Sequence, residues 1–101
     1  MYKILICCSA GMTSSMLVSA VKEEATKQDV EVMVWTAAKT AVSLSWADAD
    51  CILLAPQIAS ALSEIKDLTN GKVPVEVIDS EKFSNMDGKA VLKQALSMMS
   101  E

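Results

Sequence analysis

The sequence predicts a small open doubly wound α/β domain, a four-stranded parallel sheet with helices on both faces. Three observations carry this. Apolar runs of strand length recur at residues 3–7, 31–35, 51–54 and 75–78. Segments with helical period or loop composition separate them, so the order alternates β with α. The runs are nearly continuous in apolar character, as strands buried on both faces are. At 101 residues the chain is expected to form a single domain, 1–101. Its composition is 51% hydrophobic but only 4% aromatic, so Val, Leu, Ile, Ala and Met must build the core.

The first apolar run, Ile4-Leu5-Ile6-Cys7, leads into Cys8-Ser9-Ala10-Gly11-Met12-Thr13-Ser14-Ser15 and then into an amphipathic segment. That order reads as strand, tight loop and helix. A helix is expected over about 14–27, with Leu17, Val21 and Ala25 on one face and Lys22, Glu23 and Lys27 on the other. Residues 39–44 allow a short helix, and Ala47-Asp48-Ala49-Asp50 reads as the turn into the third strand. Pro56 suits a first helical turn, where its missing N–H has no partner to lose. Ile58, Leu62 and Ile65 then mark an inner helical face to about Leu68, and Asn70-Gly71 ends it. Asp87 is a good N-cap for a last helix carrying Val91, Leu92, Ala95, Leu96 and Met99 on one face.

Charge and missing residue types narrow the chemistry. The net charge is −4, and the nine basic residues are all lysine. No basic stripe is present to neutralise nucleic-acid phosphates. Without histidine there is no Ser-His-Asp or Cys-His pair, no phosphohistidine and no imidazole metal ligand. Without arginine there is no bidentate phosphate clamp. Cys7, Cys8 and Cys51 are odd in number and lack CxxC spacing, so neither zinc nor a disulfide framework is expected. Adjacent Cys7 and Cys8 point to opposite sides of an extended strand. A reduced, cytoplasmic setting fits this cysteine usage. No run approaches the roughly 20 residues of a membrane span, and the N-terminus does not read as a cleaved signal.

Parallel α/β sheets bind ligands beyond the carboxyl ends of their strands, where Cys8 falls. A loop of small residues before a helix N-terminus offers backbone N–H groups and a positive dipole end to one anion. The same field favours thiolate, the nucleophilic form. Gly11 permits a positive φ, and the hydroxyls of Ser9, Thr13, Ser14 and Ser15 either cap the helix or donate to an anion. Cys7 and Cys51 read as small core hydrophobes. Pro56-Gln57 and Asp79-Ser80 border the same edge of the sheet. Gln57 either donates to a ligand or is an ordinary helix-start residue, and Asp79 is either a general acid or a cap. Phe83 is a partner contact or core, and Met12 a partner contact within the loop.

Ile6-Cys7-Cys8-Ser9-Ala10-Gly11-Met12-Thr13-Ser14-Ser15-Met16-Leu17 resembles the active-site loop of enzyme IIB proteins of the bacterial sugar phosphotransferase system, lactose/cellobiose branch. The resemblance continues through Leu53-Leu54-Ala55-Pro56-Gln57-Ile58-Ala59, through Val75-Glu76-Val77-Ile78-Asp79-Ser80 and through Met86-Asp87-Gly88. It implies the four-stranded parallel fold and a phosphocysteine at Cys8, cradled by the loop from Ser9 to Ser15. It implies enzyme IIA, carrying a phosphohistidine, as donor, and a sugar on the membrane permease, enzyme IIC, as acceptor. A β-linked disaccharide such as cellobiose is the expected sugar, with no cofactor and no metal. Relatives often carry Tyr where this chain has Phe83, so any help from that hydroxyl is missing. Met12, Ile58 and Phe83 are expected to form a partner-facing rim.

Three rivals use the same residues. A low-molecular-weight cysteine phosphatase needs an arginine six residues after its cysteine, a place held here by Ser14. A thiol redox protein of the arsenate-reductase kind needs Cys51 near Cys8, but Cys51 is expected at the far, N-terminal end of the third strand. An anion-sensing module would bind phosphate without covalent transfer.

Overall fold

The computed structural model describes residues 2–8, 14–38 and 46–99, the side chains of Cys8, Ser14 and Ser15 excepted. Four strands form one sheet: β1 (Tyr2–Cys8), β2 (Val32–Ala38), β3 (Cys51–Leu54) and β4 (Val75–Val77). Their spatial order is β2-β1-β3-β4, and every pairing is parallel. The helices are α1 (Ser14–Lys27), α2 (Leu62–Thr69), α3 (Ser80–Ser84) and α4 (Gly88–Met99). Two short 3₁₀ segments precede β3 and α2, at Trp46–Asp48 and Pro56–Ala61. The expected helix at 39–44 lies outside the described residues.

The two central apolar runs became strands covered on both faces. Ile4, Leu5, Ile6 and Cys7 are fully buried, as are Cys51, Ile52, Leu53 and Leu54. The chain leaves β1 for β2 on one side and later moves from β3 to β4 in the opposite direction. Right-handed crossovers then put α1 and α2 on opposite faces. α4 returns beside α1 and packs on it and on β3.

Helix boundaries follow local chemistry. The buried stripe of α1 is Leu17, Val21 and Ala25, as its periodicity predicts. The helix stops where Asp29 turns left-handed (φ 58°) and Val30 N–H donates to the Ala25 carbonyl at 2.9 Å. Asn70 closes α2 the same way at φ 53°, its N–H donating to the Lys66 and Asp67 carbonyls. Asp87 caps α4: its Oδ1 accepts from Ala90 N–H at 3.0 Å.

Three boundaries differ from expectation. β2 runs to Ala38 because Thr36, Ala37 and Ala38 pair with Ile6, Cys7 and Cys8. β1 likewise extends to Cys8, its last residue. The segment after Pro56 is not one continuous helix, since Ile58 leaves helical geometry (φ −117°, ψ 28°) and the α-helix starts at Leu62. Ala55 offers no side-chain cap, and Ile58 is buried in the core.

Both ends of the sheet are tied by side chains. At the amino edge Asp50 Oδ2 accepts from Lys3 N–H at 2.9 Å, while Asp50 N–H donates to the Lys3 carbonyl at 2.7 Å. β3 is thereby aligned with β1 before their first pair. On the outer side of β4, the Gln94 amide donates to the Val77 carbonyl at 3.1 Å and to Glu76 at 3.0 Å. That edge strand is thus covered by a side chain.

α4 comes close to α1 where Gly88 opens it. A Cβ there would lie 2.4 Å from the Ala20 carbonyl oxygen, a backbone atom that cannot swing aside. Gly88→Ala is expected to lower unfolding free energy by at least ~2 kcal/mol, the range of a forced overpacking. Removing the cap with Asp87→Ala should cost about 1 kcal/mol. Urea titration of both variants checks the ranking, Gly88→Ala being the more damaging.

Candidate functional site at the carboxyl edge of the sheet

The reading edge of this sheet is set by β1, the strand between β2 and β3. Cys7 pairs with Leu54 of β3 and with Ala37 of β2, and Cys8 pairs with Ala38. Ala55 N–H donates to the Cys7 carbonyl at 2.9 Å, so β3 leaves the sheet level with Cys8. Ile78 N–H donates to the Leu54 carbonyl at 2.8 Å and brings the exit of β4 to the same edge. α1 begins at Ser14, six residues after Cys8, and runs back along the sheet from this edge. The positive end of its dipole therefore opens here. Ser9, Ala10, Gly11, Met12 and Thr13 lie outside the described residues, as do the side chains of Cys8, Ser14 and Ser15.

Residues around that edge divide into used and available groups. Asp79 is a cap: its Oδ2 accepts from Glu81 N–H at 3.1 Å and Lys82 N–H at 3.4 Å, opening α3. Phe83 is 5% exposed and Ile58 8%, so both are core, and neither forms the expected partner-facing rim. Packing against the sheet outweighs exposure because each ring or branched chain buries a large apolar area. Gln57 is exposed, following half-buried Pro56 and preceding buried Ile58. Met16, on the first turn of α1, is 63% exposed.

The two other cysteines are structural. Cys7 is fully buried in mid-sheet. Cys51 opens β3 at the far edge, and burial together with the carboxylates of Asp50 and Glu76 pushes its thiol up to about 12. It pairs with Ile4, four residues along β1 from Cys8. At roughly 3.3 Å per residue that is about 13 Å. A disulfide spans less than about 7 Å between Cα atoms, so Cys51 cannot resolve a bond to Cys8 in this fold. The redox rival loses its second thiol.

No group of three or more His, Cys, Asp or Glu side chains among the described residues is arranged to hold a metal. No helix among them is long and apolar enough to cross a membrane. The groove lined by Tyr2, Asp50, Lys72, Pro74 and Met98 lies at the amino edge. Its carboxylate is engaged with the Lys3 amide, so it offers no convergent chemistry.

The description "PTS system, Lactose/Cellobiose specific IIB subunit" matches residues 3–94. The chain belongs to that family. As a IIB component it is a phosphotransferase of sugar transport. The oligo-beta-mannoside-specific EIIB component of Bacillus subtilis (strain 168) is 37% identical over 100 residues, covering 98% of this chain and 97% of its own. The galactose-specific and cellobiose-specific EIIB components of Lactococcus lactis are each 31% identical over 102 residues, covering 95% of this chain and 94% of theirs. The lactose-specific IIB domain of Streptococcus pneumoniae superposes with a TM-score of 0.86 at 24% identity, 96% of each chain being covered. The cellobiose-specific IIB protein of Borrelia burgdorferi gives 0.80 at 30% identity, covering 97% of this chain and 91% of its own. The parallel α/β fold expected of a IIB protein is the fold observed.

Burial of the Cys51 thiol has a sign that can be measured. Its folded pKa lies above the ordinary thiol value of 9.0, so below about pH 9 both states keep the proton and the contribution to stability is whole. Between 9 and 12 the unfolded thiol ionises while the folded one does not, and stability falls as pH rises. Cys51→Val is expected to flatten that fall relative to the parent in paired urea titrations. At pH 8 Cys51 should resist a maleimide until the protein is unfolded, as peptide mapping of the labelled chain would show.

Proposed function

We propose that this IIB protein carries the phosphoryl group on Cys8, between an enzyme IIA and a sugar held by its permease, enzyme IIC. The observation that carries the reading is the position of Cys8. It is the last residue of the central buried strand, level with the exits of β2 and β3, and it directly precedes the small-residue segment that leads into α1. Among the three cysteines the other two are buried, and burial disfavours the thiolate.

Transfer follows from a nucleophile beside backbone donors. The Cys8 sulfur attacks the phosphorus of the donor phosphohistidine in line, the S–P bond forming as the N–P bond breaks, and the thiol proton ends on the departing imidazole. Backbone N–H groups from Ser9 to Ser15 and the α1 dipole hold the equatorial oxygens, and neither metal nor cofactor takes part. In the second step the sugar hydroxyl attacks, the O–P bond forms and the S–P bond breaks. Cys8 leaves as a thiolate and recovers the proton that the hydroxyl gives up. Absence of arginine and histidine from the whole chain leaves no group of either kind to clamp the transition state or activate water, so hydrolysis is slow.

Both partners meet the protein in the cytoplasm. The sugar is β-linked, cellobiose or a close relative. The names of an oligo-beta-mannoside-specific relative and of cellobiose-specific relatives support that class.

Cys8→Ser is expected to abolish labelling by phospho-IIA. Cys7→Ala should retain it, at some cost in melting temperature because the lost sulfur leaves a core void. Mass spectrometry of intact protein and of its peptides checks this, and a labelled Cys8→Ser protein would refute the assignment. Purified with its permease, the protein should support phosphorylation of cellobiose faster than of α-linked maltose.

A further inference from the structure

Asn70-Gly71 closes α2 far from the Cys8 edge in sequence, and phosphoryl transfer makes no use of it. Both residues are exposed. The Asn70 side-chain amide and the Gly71 N–H have no hydrogen-bond partner among the described residues.

This dipeptide carries a reaction of its own. The backbone nitrogen that follows an asparagine can attack the side-chain carbonyl carbon. An N–C bond forms, the C–N bond of the amide breaks, and ammonia leaves with the proton of the backbone nitrogen. Water then opens the cyclic imide at either carbonyl, giving aspartate or isoaspartate. Glycine favours the attack because it has no side chain to shield its nitrogen. A Cβ placed on Gly71 would meet nothing within 4 Å, so no other segment closes over it. Asn85, the other asparagine, precedes Met86, whose N–H is engaged by the Phe83 carbonyl at 3.1 Å.

The fold withholds the geometry that the attack needs. Ring closure requires the Gly71 nitrogen on the same side of the Asn70 Cα–C bond as Cβ. Asn70 is left-handed, at φ 53° and ψ 35°, which turns that nitrogen nearly opposite to Cβ. Hydrogen bonds on both sides of the pair hold it there. Asn70 N–H donates to the Lys66 and Asp67 carbonyls at 3.0 and 3.2 Å, and Lys72 N–H donates to the Thr69 carbonyl at 3.0 Å. Rotation of Asn70 about ψ swings Lys72 away and breaks the last of these.

We infer that Asn70-Gly71 is a self-modification site gated by the C-cap of α2: Asn70 deamidates through the Gly71 nitrogen when the cap opens, and the cap cannot then re-form as before. Each product weakens it. A carboxylate at this position faces the negative end of the helix dipole. Isoaspartate also adds a methylene to the backbone, which removes the left-handed turn. The change runs one way and records each opening of this end of α2.

The test incubates the full chain at pH 8, native and in unfolding urea, and follows Asn70 by peptide mass spectrometry with isoaspartate resolved by chromatography. Conversion is expected at least about tenfold faster in the unfolded chain, because local opening limits the native rate. Ile65→Ala, which leaves a void beneath α2, should raise the native rate and leave the unfolded rate unchanged. Sub-denaturing urea on the parent should raise it too, and serves if that variant does not fold. Deamidated protein, separated by its added negative charge, should melt below the parent. Asn70→Gly keeps the left-handed turn without the reactive amide, and should hold its melting temperature through the same incubation. Equal native and unfolded rates, or a native rate that neither lever moves, would overturn the gate. No conversion in the unfolded chain would overturn the reactivity. An unchanged melting temperature after deamidation, or an equal loss in Asn70→Gly, would overturn the claim about the cap.

Discussion

β1 is held by parallel ladders on both sides, to β2 from Tyr2 to Cys8 and to β3 from Ile4 to Cys7, and its four central side chains have no contact with water. A strand in that position cannot slip. A one-residue shift would turn every buried side chain to the opposite face and break two ladders together. Asp50 reinforces the same register from the amino edge, through its paired bonds with Lys3. The consequence appears at the other end of the strand. The backbone of Cys8 is located by the core through its place at the end of that strand, and the role proposed for it needs such placement.

The rest of the molecule keeps that strand dry and gives its edge a direction. α1 and α4 cover one face, and their close approach at Gly88 and Ala20 leaves no room for a side chain between the backbones. Opposite crossover directions put α2 on the other face. All four strands are parallel, so their exits gather at one edge, and α1 opens there with its partial positive charge. Burial and edge position also divide the cysteines by chemistry. Cys51, in the core and near two carboxylates, is held as a thiol far above neutrality. Cys8 ends β1 at the opposite edge, where α1 opens.

Sequence and structure agree most closely where a local rule had no competitor. The four strands were legible because continuous apolar runs of that length have few other uses. The stripe Leu17-Val21-Ala25 and the Asp87 cap were legible because periodicity and capping act within one turn. Residues whose two readings depended on distant neighbours were not legible. Phe83 became a core ring because the packing of α3 decided which partners it met, whereas Asp79 became the cap that its place before α3 favoured, accepting from amides two and three residues on. Ile58 bent out of helical geometry to enter the core, and a propensity argument has no means to anticipate that.

By itself the sequence determined the fold class, the cysteine and small-residue segment at the end of the first strand, and a chain without arginine or histidine. Those follow from residue types, local periods and absences, all of which are properties of the chain before it folds. Only the tertiary structure decided the sheet order. It alone decided that Ile58 and Phe83 are withdrawn into the core. These depend on pairing and burial between segments far apart in the chain, where the free energy of a side chain is set by neighbours that its own sequence context does not name.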